Sequence, residues 1–398
     1  MASVRHVLVS GAGIAGPALA YWLHHHGISA TVVERAPAVR AGGYAIDVRG
    51  VALDVAERMG VLDNIRGAAT GTTSVGFVDR RGRVRVRLPT TALAPDGRSD
   101  ELQRGDLIRL LVDRTTDRTE YVFGDRVTGL DQGPDGVLAT FEHAAPRTFD
   151  LVVCADGLHS STRALALGPE EPLRRFLHAY ISIFSVPDDM GLSAEALLFN
   201  TPGRLAGLTH SPRVPGAKAI LALTRRPDSG IDRAGEDEQR RALRAAFTGQ
   251  GWITDRLLDA MDDAPDFYFD SVTQIRMDRW SAGRVTTLGD AAYAPSPMSG
   301  QGTSLAMVGA YVLAQELGRR DDHTGALAAY ETRMRPFVRA NQDIAGSGMA
   351  FLVPRTRLGI AARDALVRAT PVLSRLGSLE SRIARAAEAL DLDARAPV

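Results

Sequence analysis

Ser10-Gly11-Ala12-Gly13-Ile14-Ala15-Gly16 is the stretch whose reading decides the fold. The apolar run Val7-Leu8-Val9 leads into it, and a helical pattern leaves it and continues to about His26, where Gly27 closes it. A second β-branched run, Ala30-Thr31-Val32-Val33, ends at Glu34, 21 residues beyond Gly13. Short apolar runs bounded by turn residues read as buried strands. Strand, GxGxxG, helix, strand and acid together read as a mononucleotide-binding βαβ unit. Gly11 allows the tight turn, Gly13 removes the Cβ that would block a pyrophosphate, and Gly16 lets helix and strand pack closely. The helix start offers free N–H groups and a positive dipole end to phosphates, and Glu34 would accept hydrogen bonds from ribose hydroxyls. This segment alone leaves NAD and FAD equally open.

Two further strand patterns end on acids. Asp150-Leu151-Val152-Val153-Cys154-Ala155 runs into Asp156-Gly157, with Ser160 and Arg163 completing a DGxxSxxR pattern. Arg284-Val285-Thr286-Thr287-Leu288 runs into Gly289-Asp290-Ala291-Ala292. Open α/β sheets bind ligands beyond the carboxyl ends of their strands, which makes Asp156 and Asp290 candidates. After Asp290, Pro295-Ser296-Pro297-Met298-Ser299-Gly300-Gln301-Gly302 precedes a helical pattern over Thr303–Leu317. Its bare N-terminus is a second place for an anion or an electron-rich ring edge.

These signatures, in this order, resemble those of the single-component class A FAD monooxygenases, the aromatic and polyketide hydroxylases with a p-hydroxybenzoate hydroxylase-like fold. The tetracycline-modifying subgroup is nearest in character, and the resemblance runs from about Val4 to Asn341. It implies a pyrophosphate turn at Gly11, Gly13, Ala15 and Gly16, Glu34 on the adenosine ribose and Arg35 beside the adenine. It also implies Asp156 in the DG motif, Gly289 and Asp290 at the ribityl chain, and Pro297, Gly300, Gln301 and Gly302 at the flavin, with Gly300–Gly302 N–H groups on the pyrimidine edge. Arg40-Ala41-Gly42-Gly43 and Ile46-Asp47 resemble the loop that places an arginine near the pyrophosphate or NADPH and an aspartate on FAD. Leu102–Ile108 resembles the helix start that brings an arginine, here Arg104, to the flavin. Tyr293 stands where the family often has His, and Gly309 where it often has an acid. Both departures bear on subgroup and substrate-side contacts rather than on the cofactor.

The fold class implied is α/β: a Rossmann-like FAD-binding domain with an inserted antiparallel-sheet substrate domain and C-terminal helices. The expected division is 1–72, 101–172 and 276–350 for the discontinuous FAD-binding domain, 73–100 and 173–275 for the substrate-binding domain, and 351–398 for the C-terminal helical segment. Thr73–Leu88 alternates around Arg80-Arg81-Gly82 as a hairpin, and Phe176–Phe184, Ala196–Thr209, Lys218–Thr224 and Phe267–Ile275 are further strands. Phe199, Phe267 and Phe269 are candidates for an apolar substrate wall. The amphipathic, arginine-rich tail Leu358–Leu392 reads as a cover on the core, with a membrane or partner surface as the alternative.

The chemistry implied is flavin-based. NADPH or NADH would reduce FAD, O₂ would add to reduced flavin at C4a, and the hydroperoxide would hydroxylate or insert oxygen into an aromatic or polyketide-like small molecule. An FAD-dependent reductase or halogenase on the same scaffold, or a non-catalytic FAD-binding protein, is the alternative. Trp22, Trp252 and Trp280 are isolated and Lys218 lies in no halogenase setting, which argues against halogenation. His159 and His210 are the histidines best placed for a substrate or cofactor role, though an ordinary structural role weighs more.

Composition closes other classes. With 47 Lys+Arg against 47 Asp+Glu the chain is neutral, so no charge field points to nucleic acid. A single cysteine, Cys154, leaves no disulfide framework or cysteine-rich metal site, and His24-His25-His26 point about 100° apart on a helix, so no metal is expected. The longest uncharged helical stretch, Thr303–Gln315, falls short of the roughly 20 apolar residues needed to span a bilayer. The expectation is a cytoplasmic enzyme, monomer or homodimer. Glycine is the informative excess, 39 of 398, and its meaning lies in where those residues sit.

Overall fold

Val7, Leu8 and Val9 have no exposed surface, because the strand His6–Ser10 lies inside a six-stranded sheet covered on both faces. The computed structural model describes residues 4–39, 43–92, 96–187, 194–211, 213, 216–225, 228–373 and 381–394. In the first sheet the order is Ser281–Ala282, Val285–Thr287, Leu151–Cys154, His6–Ser10, Ser29–Glu34, Glu120–Phe123. All pairings are parallel except that of the short Ser281–Ala282 edge. The chain leaves His6–Ser10 through the helix Ala15–His25 to one neighbour and returns much later to the other. The glycine turn therefore sits at the point where strand order reverses, which is where an open sheet parts to form a crevice. Cys154 is wholly enclosed in this sheet, and burial pushes its thiol well above the usual range.

The second sheet has seven strands in the order Tyr268–Ile275, Arg174–Val186, Ala217–Thr224, Arg204–His210, Glu195–Thr201, Ser74–Val78, Val84–Pro89. It is mixed rather than antiparallel throughout. Glu195–Thr201 runs parallel to Ser74–Val78 in the register Glu195↔Ser74 to Phe199↔Val78. No short turn joins these two strands, so nothing local imposes the antiparallel direction that hairpins dictate elsewhere.

Alternation along Arg174–Val186 sends Tyr180 and Phe184 to one face and Ile181 and Ile183 to the other. The helices Glu236–Phe247 and Thr254–Asp262 cover the first face with Leu243, Phe247, Leu257 and Met261. Phe199 and Phe269 are buried in this cluster and Phe267 packs against it, so these phenylalanines hold the helices and form no substrate wall. The opposite face, carrying Ile181 and Ile183, turns toward the crevice.

Smaller elements brace the two sheets. Ala45–Arg49 pairs antiparallel with Ser99–Gln103, placing Asp47 opposite Glu101. Val127–Gln132, Val137–Phe141 and Arg147–Phe149 form a three-stranded sheet. The helix Gly302–Arg319 packs along Ala15–His25, and the long helix His323–Leu352 packs on Gly302–Arg319. The tail turns back on the body. Arg363 lies 3.7 Å over the Phe77 ring, Arg85 pairs with Asp364 at 3.2 Å, and Asn341 donates to the Ala386 carbonyl at 3.0 Å. Among the described residues no helix is long and apolar enough to cross a membrane.

Candidate active site

The glycines of the first turn divide by what surrounds them. Gly11 has φ +110°, and a Cβ there would lie 2.5 Å from the Ala155 carbonyl oxygen; one on Gly16 would run into the Gly11 carbonyl. Gly11 is demanded by the end of the neighbouring strand at Ala155, and Gly16 by the packing of the helix against the turn. A Cβ on Gly13 would meet only Arg104 Nη2, at 3.7 Å. That hydrogen therefore leaves open space where the turn faces a cavity of ≈ 360 Å³. Gly13, Ala15, Asp47 and Arg104 line this cavity together with Asp290, Pro297, Gly300 and Gly302, so turns separated by nearly the whole chain meet in one place.

Two helices begin at this cavity, and neither is capped by a side chain. Ile14 precedes Ala15–His25 and Gln301 precedes Gly302–Arg319, each without a side-chain cap. The first N–H groups of a helix have no intrahelical acceptor, so two positive helix ends converge on one volume. The Gly300 N–H is turned to the Pro297 carbonyl at 3.3 Å and the Gln301 N–H to Ser299 Oγ at 3.1 Å. Of that trio, Gly302 opens the helix itself.

The charges around the cavity are opposed in pairs. Asp290 is exposed to the cavity it lines; desolvation by the surrounding walls raises its carboxyl, and the Arg104 guanidinium pulls against that rise. Asp47 pairs with Arg49 at 2.9 Å, and a Cβ on Gly300 would lie 3.6 Å from Asp47 Oδ2. Burial raises the Tyr44 phenol, again opposed by Arg104.

Other candidates from the sequence lie outside this lining. Glu34 accepts the Ala12 and Ala36 N–H groups, each at 2.9 Å, and so braces the glycine turn. Arg35 is exposed beside Arg126 and Glu142. Asp156 turns to its own helix, accepting from Ser160 Oγ and from the Thr162 N–H at 3.0 Å, and it is Gly157 that lines the cavity. Gly289 has φ +64°, and a Cβ there would press on Ala15 at 3.1 Å. The Gln301 side chain is fully buried, with neither Oε1 nor Nε2 bonded. Arg40 and Gly42 lie outside the described residues.

Two contributors carried no decisive sequence signal. Arg163, fully buried, donates to the carbonyls of Leu158 at 3.1 Å and Ala291 at 2.9 Å, tying the DG turn to the GD turn. Its place in DGxxSxxR marked it, but its partner lies 128 residues away. His159 stands between Glu170 (Nδ1 to Oε2, 3.0 Å) and Asp270 (Nε2 to Oδ1, 3.2 Å), and these carboxylates push its pKa up to about 10. Asp270 lies on the second sheet, so this contact joins the two sheets at the cavity.

A second cavity of ≈ 450 Å³ shares Tyr44, Asp47, Ile183 and Ile220 with the first. One side is apolar, with Ile183, Ile220 and Val75; the other carries Asp47, Glu101 and Gln103. Burial raises the Glu101 carboxyl, which accepts from Thr70 Oγ1 and, at 2.9 Å, from Thr72 Oγ1. His210 lines this second cavity.

A parallel sheet with a glycine turn at its switch point, open helix ends on one cavity and a second sheet above it define a dinucleotide-dependent redox protein. The family model described as "FAD binding domain" matches residues 5–345, and the chain belongs to that family. It is 44% identical over 343 residues to "Uncharacterized protein Rv1260" of Mycobacterium tuberculosis (strain ATCC 25618 / H37Rv), covering 85% of this chain and 92% of that protein. It is 39% identical over 344 residues to a "Flavin-dependent monooxygenase" from an unknown prokaryotic organism, covering 86% and 89%. The crystal structure of tetracycline destructase Tet(55) superposes with a TM-score of 0.85 at 36% identity, covering 99% of this chain and 100% of that one. The chain is a flavin-dependent monooxygenase with FAD as its cofactor.

Proposed function

We propose that the enzyme takes electrons from NADPH or NADH and uses O₂ to hydroxylate, or insert oxygen into, an aromatic or polyketide-like small molecule. The observation that carries this reading is the convergence of two uncapped helix N-termini on one cavity beneath the isoleucine face of the second sheet. Such an arrangement suits a cofactor with a pyrophosphate at one end and an electron-rich ring edge at the other. Its likeness to a tetracycline destructase supports a polycyclic substrate.

Bound FAD supplies the electron storage and oxygen activation. The chain supplies position, charge and a dry wall. In this reading the start of Ala15–His25, with Gly11, Gly13, Ala15 and Gly16, takes the pyrophosphate, Glu34 the adenosine ribose and Arg35 the adenine edge. Asp290 beside Gly289 takes the ribityl hydroxyls, and Pro297 and Gly300–Gly302 bring the second helix end to the pyrimidine edge. Arg104 and Asp47 flank the flavin, Arg40 serves the pyrophosphate or the nicotinamide donor, and Asp156 shapes its turn by holding Ser160, which caps the following helix, and the Thr162 N–H. Ile181, Ile183 and Ile220 exclude water. Residues 1–72, 101–172 and 276–350 form the FAD-binding part, 73–100 and 173–275 the substrate part, and 351–398 the helical cover.

Oxygen uptake and NAD(P)H oxidation, measured with and without candidate aromatic and polyketide substrates, test the proposal. Mass spectrometry after reaction under labelled O₂ is expected to show one labelled oxygen in the product. Reduction of a substrate without O₂ uptake would favour the reductase alternative. A flavin spectrum that neither nucleotide bleaches under any substrate condition would favour a non-catalytic FAD-binding protein.

A further inference from the structure

Tyr268 and Asp270 are two residues apart on the strand Tyr268–Ile275, so they share a face, and both line the ≈ 360 Å³ cavity. The Tyr268 hydroxyl donates to Asp270 Oδ2 at 3.0 Å. Asp270 Oδ1 accepts the Ser271 N–H at 2.7 Å and meets His159 Nε2 at 3.2 Å. The other His159 nitrogen faces Glu170, whose Oε2 also takes Arg163 Nη2 at 3.3 Å. An imidazole held between two carboxylates is a donor at both nitrogens, and a carboxylate so surrounded has only lone pairs to offer. The Tyr268 hydrogen is thereby committed to Asp270. A phenol has one hydrogen and two lone pairs, so what Tyr268 presents to the cavity is acceptor only. The Tyr44 ring, its centroid 6.0 Å away, packs beside the Tyr268 ring, and Ile181, Ile183 and Ile220 add no competing polar group from their side chains.

We propose, resting on the flavin-dependent oxygenation argued above, that Tyr268 is a specificity-determining residue that reads an O–H or N–H donor on the substrate edge, while Asp270 and His159 are positioning residues that fix its polarity. A substrate carrying a hydroxyl at that edge is retained. Its O-methyl counterpart brings no donor to the Tyr268 oxygen, and a desolvated acceptor left unmet is costly.

The test is equilibrium dialysis of the FAD-loaded full chain against β-naphthol and its methyl ether, with flavin absorbance read on the same samples. Wild type is expected to hold the naphthol about tenfold tighter, the worth of one buried hydrogen bond. Tyr268→Phe is expected to bind both probes alike. Asp270→Asn turns an amide N–H₂ toward Tyr268 and the phenolic hydrogen toward the cavity, so the preference should vanish or invert, a change that lost space alone does not produce. Equal binding by wild type, binding of neither probe, or a preference kept in Tyr268→Phe or Asp270→Asn overturns the proposal. The wild-type comparison decides even if a variant does not fold. Flavin retained without a preference refutes the role of Tyr268 alone, whereas flavin that cannot be loaded refutes the cofactor reading beneath it.

Discussion

The hydroxyl of Tyr293 occupies the space that a side chain at position 309 would need. A Cβ on Gly309 would fall far inside contact distance of Tyr293 Oη and 3.0 Å from Leu288 Cδ1. Tyr293 is 1% exposed, its Oη lies 3.1 Å from Tyr330 Oη, and its ring centroid is 4.8 Å from that of Trp280. Burial lifts its phenol to about 12, so it remains neutral. The two departures from the class A pattern are thus one packing arrangement, in which bulk at 293 fills the room left at 309.

Gly309→Ala is expected to destabilise the protein by about 1–3 kcal/mol through overpacking, although alanine is the better helix former by about 1 kcal/mol. Adding Tyr293→Phe removes the obstructing oxygen. Urea unfolding of the two single variants and the double variant should give a coupling of about 1 kcal/mol or more; additive effects would mean the positions are independent.

The two glycines of the first turn should respond in opposite ways. Gly11→Ala forces a Cβ against the Ala155 carbonyl at a φ of +110°, and is expected to yield little folded protein. Gly13→Ala meets only the Arg104 guanidinium and should fold with the thermal midpoint of the wild-type apoprotein while losing bound flavin. Circular dichroism and the flavin absorbance of purified protein check both, and a flavin-replete Gly13→Ala would count against the pyrophosphate assignment.

Asp290→Ala should fold, since desolvation makes this carboxylate costly to the fold and no described side chain bonds it. Its affinity for FAD should fall about tenfold to a hundredfold, as for a lost charged hydrogen bond. Fluorescence titration of apoprotein with FAD measures this directly, and full affinity in the variant would remove Asp290 from the site.

The His159 contacts make stability depend on pH in a known direction. Its pKa is about 10 in the folded chain against an ordinary 6.5, so below about 6.5 both states hold the proton and the stabilisation is complete. Above that the folded state binds more protons than the unfolded, and this contribution falls away as pH rises toward 10. The imidazole is 48% exposed, so the effect is modest. Thermal midpoints from pH 6 to 10 should fall more steeply in wild type than in His159→Gln, and parallel curves would show that the bridge carries no linkage.

Much of this was legible because it is local. Strand, glycine turn and helix follow from residue spacing within a few turns of chain, and the demand on Gly16 is set by the Gly11 carbonyl of its own turn, whereas the Ala155 carbonyl that Gly11 meets comes from a distant strand. The order of the three motifs was readable for the same reason, and so was the hairpin around Arg80-Arg81-Gly82, seen in the pairing of Ser74–Val78 with Val84–Pro89. What depended on distant partners was not. Alternation told that the sheet strands have two faces, but only packing decided that Phe199 and Phe269 meet helices while Ile181 and Ile183 meet the cavity. The parallel pairing of Glu195–Thr201 with Ser74–Val78, the Arg163 tie to Ala291 and the His159 contact with Asp270 each join segments for which no turn fixes the geometry. By itself the sequence determined the strand, glycine turn and helix and the family they mark, because backbone freedom and helix ends are encoded residue by residue. The tertiary structure alone decided which face of the second sheet lines the cavity and that the Tyr268 hydroxyl spends its hydrogen on Asp270, because both depend on how the strands of that sheet pack against the rest of the chain.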